Sequence, residues 1–234
     1  MADILLIHGA AHGGWCFARL AAALADLGHV GRAIDLPGRS DGRDPADVTL
    51  DDHADAVEAA MGERTVVVGH SLGGLAATAG ADRAPERVAA LVYLCAWVPE
   101  AGRPVSEFRD RGMTRALAEA QSVRDGAIVY DPTLAREPFY HDCDPGDAEA
   151  ALARLTPEPL APVKTPYAPR NAVHPNRQYI LCEDDRAIRP DWQAGASADW
   201  PKGHVHRLSA GHSPFLSCPD RLASILDAIA KAHP

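Results

Sequence analysis

Several common signatures are missing from this chain, and each absence closes off a class of function. There is no GxGxxG, and no P-loop lysine follows the glycine-rich stretches, so nucleotide and dinucleotide sites lose their usual carriers. No apolar run approaches the roughly 18 residues needed to cross a bilayer. Positive charge is scarce. With 23 Lys and Arg against 32 Asp and Glu, the formal charge of −9 argues against nucleic acid and against anionic membrane surfaces as partners. The cysteines (Cys16, Cys95, Cys143, Cys182, Cys218) are odd in number, scattered and without a CxxC pair, which reads as reduced, mostly packed thiols of a cytoplasmic protein. The first strand is expected to start two residues after Met1, so no leader is expected, and no repeat or low-complexity tract occurs.

What remains suits one globular unit. At 234 residues and 47% hydrophobic the chain can bury a full core. Strand patterns at residues 3–8, 30–35, 64–70 and 88–97 alternate with helical ones at 15–27, 50–61 and 72–82, which predicts an α/β fold with a parallel sheet and helices on both faces. After Pro99 the rhythm breaks, and about 80 residues pass before the next strand at Gln178, too many for a connection. Nine of the 19 prolines lie between Asp131 and Pro175, and the stretch after Pro99 also carries two helical candidates, at 106–122 and 144–155. The chain therefore divides into a core of residues 1–98 and 177–234 and a mobile cap of residues 99–176.

The run VVVGHSLGGL, Val66 to Leu75, is the most informative segment. Three β-branched residues make a buried strand and a helix begins directly after Ser71, so Ser71 occupies the turn. Gly69 and Gly73, two before and two after, let strand and helix approach. This is a nucleophile elbow, which lifts the serine hydroxyl to a substrate carbonyl and aims the Leu72 N–H and the helix N-terminus at the developing oxyanion.

A serine nucleophile needs a base held by a carboxylate, in the chain order Ser, Asp or Glu, His. Among 11 histidines, His212 lies on the loop between the last strand and a closing helix striped by Leu216, Leu222, Ile225, Leu226 and Ile229, and is the expected base. His70 adjoins the serine, but neighbouring side chains diverge at such a turn, so it supports the elbow. His204 and His206 sit on one strand with no third ligand at metal-site spacing, so no metal site is expected. The acid should end the preceding strand, where Glu183, Asp184 and Asp185 are adjacent and periodicity does not choose among them. A second oxyanion donor, the Ala10 N–H, is expected from the loop HGAAHGG after the first strand.

Several segments together resemble the α/β-hydrolases of the branch that contains the plant methyl-ester esterases, of salicylate and jasmonate type, the hydroxynitrile lyases and their bacterial relatives. They are LLIHGAAHGGWCF, DLPG, VTLDDHADAV, VVVGHSLGG, FYHDCDPGDAEAALARLTPEPLAP, YILCEDDRAI and AGHSPFLSCPDRLA. The resemblance implies an α/β-hydrolase fold with an inserted cap, Ser71 as nucleophile, His212 as base, and Ala10 and Leu72 as oxyanion donors. It selects Asp185, five residues before Pro190, as the acid, and makes His12 a support of the oxyanion loop at the substrate site. Lyases of the branch carry a threonine and a lysine where this chain has Gly9 and Ser213, so hydrolysis is favoured over cyanide release. The relatives read DLPGHG where this chain has DLPGRSDG, so Arg39 and Ser40 mark a departure.

By analogy with other α/β-hydrolases the cap sets substrate choice, and Trp97, Phe108, Met113, Leu117, Phe139 and Tyr140 are its candidate lining. An apolar lining suits a small hydrophobic or aromatic ester. The expected activity is cofactor-free carboxylic ester hydrolysis through an acyl-enzyme, by a monomer or homodimer. The alternatives are hydroxynitrile lyase, lactonase or C–C hydrolase chemistry on the same triad, and a ligand receptor built on the same fold.

Overall fold

The computed structural model describes residues 1–172 and 174–233. The chain begins with β1 (Asp3–Ile7), α1 (Ala18–Asp26), β2 (Val30–Ile34), α2 (Leu50–Ala60), β3 (Thr65–His70), α3 (Gly73–Ala81) and β4 (Val88–Leu94). An insertion follows with α4 (Arg109–Gly112), α5 (Arg115–Ala120), β5 (Gln121–Arg124), β6 (Ala127–Tyr130), α6 (Pro132–Tyr140), α7 (Pro145–Leu152), β7 (Glu158–Pro159) and α8 (Leu160–Lys164). It ends with β8 (Arg177–Cys182), α9 (Pro190–Ala196), β9 (Val205–Leu208), α10 (Pro214–Ser217) and α11 (Pro219–Ala232).

Six strands pair in the order β2-β1-β3-β4-β8-β9, each parallel to its neighbours. Side chains alternate across a strand, so each apolar run feeds two cores. Ile4, Leu6, Val66, Val68 and Val92 pack with Phe17, Leu20, Leu222 and Leu226 from the α1 and α11 side. Leu5, Ile7, Val67, Leu91 and Tyr93 pack with Val57 of α2 and with Ala76 and Ala77 of α3 on the other. A parallel sheet gathers its strand C-termini along one edge, and the loops after β1, β3, β8 and β9 meet there.

The insertion departs from its expected outline. Residues 106–122 do not form one helix: α4 stops at Gly112, where a Cβ would stand 2.5 Å from Trp192, and Met113 bridges to Ile188. Thr114 then caps α5, its hydroxyl accepting from the Leu117 N–H at 3.2 Å. The chain turns back at Asp125 and Gly126, both in the left-handed region (φ 48° and 74°), and β5, β6 and β7 form a small antiparallel sheet. The expected helix over residues 144–155 is present as α7, capped by Asp144. Among the described residues no helix is long and apolar enough to cross a membrane.

Candidate active site

Ser71 holds φ at 52°, a conformation that costs about 1–3 kcal/mol and persists only where the surroundings enforce it. Here they do. Its N–H donates to Leu94 O at 3.1 Å, and its carbonyl accepts from Gly74 and Trp97 N–H at 3.2 and 3.1 Å. A Cβ on Gly69 would lie 2.8 Å from the Ala77 Cβ, and one on Gly73 would strike the His8 carbonyl, so both glycines are needed for close approach. Gly9 sits as tightly against the turn: a Cβ there would stand 2.8 Å from both Ser71 Cβ and His70 Nδ1.

His212, 1% exposed, lies on the loop after β9 and donates Nδ1–H to Asp185 Oδ2 at 2.8 Å. Asp185 is buried and fully engaged. Its Oδ1 accepts from the Ala187 and Ile188 N–H at 2.7 and 2.9 Å, and Oδ2 accepts also from Gln193 Nε2 at 2.9 Å. Neighbouring Glu183 instead binds Arg207 and Ser209 at the surface, and Asp184 is exposed. His70 Nε2–H donates to the His212 carbonyl at 2.9 Å, and burial holds the His70 pKa well below the ordinary histidine value, so it stays neutral. Among the described residues neither Ser71 Oγ nor His212 Nε2 makes a side-chain hydrogen bond. Phe139 connects the two residues, stacking on the His212 ring at 5.7 Å and lining a cavity with Ser71.

That cavity is walled from the core by Ala10, Ser71, Leu72 and Trp97. The insertion adds Arg109, Met113, Leu117, Gln121, Tyr130 and Phe139. Of the expected lining, Phe108 and Tyr140 stand elsewhere: Phe108 packs in the apolar cluster beneath, and the Tyr140 hydroxyl donates to His12 Nε2 at 2.6 Å. His12 is 1% exposed, with both ring nitrogens engaged, so it touches the loop rather than the cavity. Its Nδ1–H donates to the Ala10 carbonyl at 2.7 Å, and burial lowers its pKa to about 4. Arg109, Gln121 and Tyr130 escaped the sequence reading, the first two because polar residues in a helical pattern read as solvated.

The insertion also grips the loops around Ser71. Ala11, at φ 61°, donates its N–H to Glu158 Oε2 at 2.9 Å and accepts at its carbonyl from the Thr156 N–H at 3.0 Å. Glu158 is buried and ion-paired with the equally buried Arg39. Asp142 accepts from the Gly211 N–H at 2.6 Å, one residue before His212. Among the described residues the backbone N–H groups of Ala10 and Leu72 find no acceptor in the protein. The donor atoms of His70, Cys95 and His212 lie within 4.8 Å of one another, but burial pushes the Cys95 thiol well up, disfavouring the thiolate that a metal would need.

A sequence model described as the Alpha/beta hydrolase family matches residues 4–225. A protein named Probable esterase PIR7A from Oryza sativa subsp. indica is 31% identical, with 98% of this chain and 97% of that protein aligned. Methylesterase 18 of Arabidopsis thaliana is 29% identical over 95% of this chain and 94% of its own length. Among solved structures, a pyrethroid hydrolase from Sphingobium faniae JZ-2 superposes with a TM-score of 0.85 at 27% identity, covering 99% of this chain and 98% of that one.

Proposed function

The chain belongs to the alpha/beta hydrolase family and is an enzyme, and on that premise we propose that it hydrolyses small hydrophobic or aromatic carboxylic esters through an acyl-enzyme on Ser71. The observation that carries this reading is the Asp185–His212 hydrogen bond, joined through Phe139 to the cavity where Ser71 is held in a strained turn.

Donation of Nδ1–H to Asp185 leaves Nε2 of His212 with its lone pair. In the substrate complex Nε2 takes the Ser71 Oγ proton as Oγ attacks the ester carbonyl. The tetrahedral oxyanion accepts from the Ala10 and Leu72 N–H groups, which have no competing protein acceptor among the described residues. His212 returns the proton to the departing alcohol. It then deprotonates the water that cleaves the acyl-enzyme, while Asp185 stabilises the imidazolium at each stage. His12 acts as a positioning residue here, holding the Ala10 carbonyl. Gly9 offers no hydroxyl beside the nucleophile and Ser213 no ammonium to a departing cyanide, which supports hydrolysis over lyase chemistry.

A fluorophosphonate probe should label the wild-type protein and not Ser71→Ala, and the wild type should hydrolyse p-nitrophenyl acetate with negligible cleavage of mandelonitrile. Labelling that survives the substitution, or cyanide release without esterase activity, would sink the assignment.

A further inference from the structure

The insertion brings one cation into a cavity whose other walls are apolar or neutral. Arg109 is 15% exposed, and its side chain lies on the cavity wall with Ser71. The only carboxylate within 4 Å of it among the described residues is that of Asp110, at 3.8 Å from Nε and itself 75% exposed. Nη2 donates to Gln121 Oε1 at 3.3 Å, and the Gln121 amide nitrogen is turned away to Met113 Sδ at 3.1 Å. The second arginine of this region, Arg39, is already neutralised by Glu158. Arg109 is not.

A guanidinium presents five N–H donors, and withdrawing it from water without a partner is costly. In Arg109 one donor meets a neutral amide and another a distant, hydrated carboxylate. The residue shares the cavity wall with the serine. A planar fork in that position matches a carboxylate, which it can engage with two parallel hydrogen bonds.

We propose that Arg109 is an anion subsite and that the substrate is an ester carrying a second, free carboxylate, seated with its ester carbonyl at Ser71 and its carboxylate on the guanidinium. The proposal rests on the ester-hydrolase reading and narrows it: the apolar walls take the body of the molecule, and Arg109 fixes its far end.

The test compares methyl para-carboxybenzoate with its neutral near-isostere methyl para-carbamoylbenzoate. Wild type should favour the carboxylate by about ten- to a hundred-fold in kcat/KM, mostly through KM, as expected for a hydrogen-bonded charge. The ratio should collapse toward one in Arg109→Gln and survive in part in Arg109→Lys. Because each ratio is internal to one variant, a loss of folded protein cancels. Equal treatment of the pair by wild type, or a preference that survives Arg109→Gln, overturns the subsite. Turnover of p-nitrophenyl acetate reports on the hydrolase reading separately. If no ester is cleaved, that reading fails, and titration of the Ser71→Ala protein with benzoate and benzamide decides on the subsite: benzoate at least tenfold tighter supports it, and equal affinity overturns it.

Discussion

Replacing Asp185 by asparagine exchanges one oxygen for an NH₂ group in a carboxylate whose four contacts are all donors. If the NH₂ takes the Oδ1 position, the Ala187 and Ile188 N–H groups both lose their acceptor, at about 1–3 kcal/mol each. If it takes the Oδ2 position, one Gln193 N–H is stranded at about 1–3 kcal/mol, since that amide is fixed by bonds to Ile188 O and the Cys182 N–H. His212 escapes loss by changing tautomer, accepting at Nδ1 and carrying its proton on Nε2. The second arrangement is therefore preferred, and it removes the base. A tautomer change of this kind costs about 10⁴ in kcat in the serine-protease template, close to 5.5 kcal/mol. The stranded N–H should lower Tm by about 2–12 °C for a chain of this size. Steady-state hydrolysis of a p-nitrophenyl ester and a thermal melt measure the two effects. Asp184→Asn and Glu183→Gln, whose carboxylates face solvent or surface donors, should stay within a few-fold of wild type. Less than a tenfold loss at Asp185, or an equal loss at Asp184, would refute the reasoning.

Glu158→Ala should lower Tm by roughly 6–20 °C, because it leaves Arg39 buried without its partner at about 3–5 kcal/mol and frees the Ala11 N–H. The double variant Arg39→Met with Glu158→Met should recover most of that loss in a thermal melt while kcat stays depressed; full recovery of kcat would mean that Ala11 needs no such anchor. A further outcome concerns acid. Burial lowers the pKa of His12 and His53 to about 4 and holds His8 and His70 well below the ordinary value, so the unfolded chain takes up protons near pH 6.5 that the fold does not. Stability should be flat between about pH 7 and 8 and fall between about 6.5 and 4, by up to about 1.4 kcal/mol per pH unit for each histidine. A calorimetric Tm unchanged between pH 7 and 5 would contradict this.

The core was legible because its signals are local. A β-branched run followed by glycines at fixed offsets specifies an elbow, and a parallel sheet buried on both faces needs the apolar runs that the strands carry. Three adjacent acids, by contrast, are equivalent to periodicity, and only tertiary contacts distinguish them: Asp185 turns inward onto Ala187, Ile188 and His212, whereas Glu183 turns out to Arg207. In the insertion the turn Asp125-Gly126 carried a hairpin signal, but the helical spacing running toward Ser122 masked it. Arg109 and Gln121 became wall residues only because α4 and α5 are folded back over Ser71, a long-range arrangement that spacing along the chain does not encode.

Thr156 and Glu158 hold both sides of Ala11, and Asp142 holds Gly211, so the insertion supplies anchors for two of the loops on which the chemistry depends. Such an insertion is not an interchangeable module. A lineage that acquires a new substrate by remodelling the insertion is free to vary the wall from Arg109 to Tyr130, but must keep the short stretches around residues 142 and 156–158 in register with the core. Arg39 has to travel with Glu158, since either one alone is a buried charge without a counterion. Grafting a relative's insertion onto this core should therefore yield an active chimera only when the junction carries that pair across together.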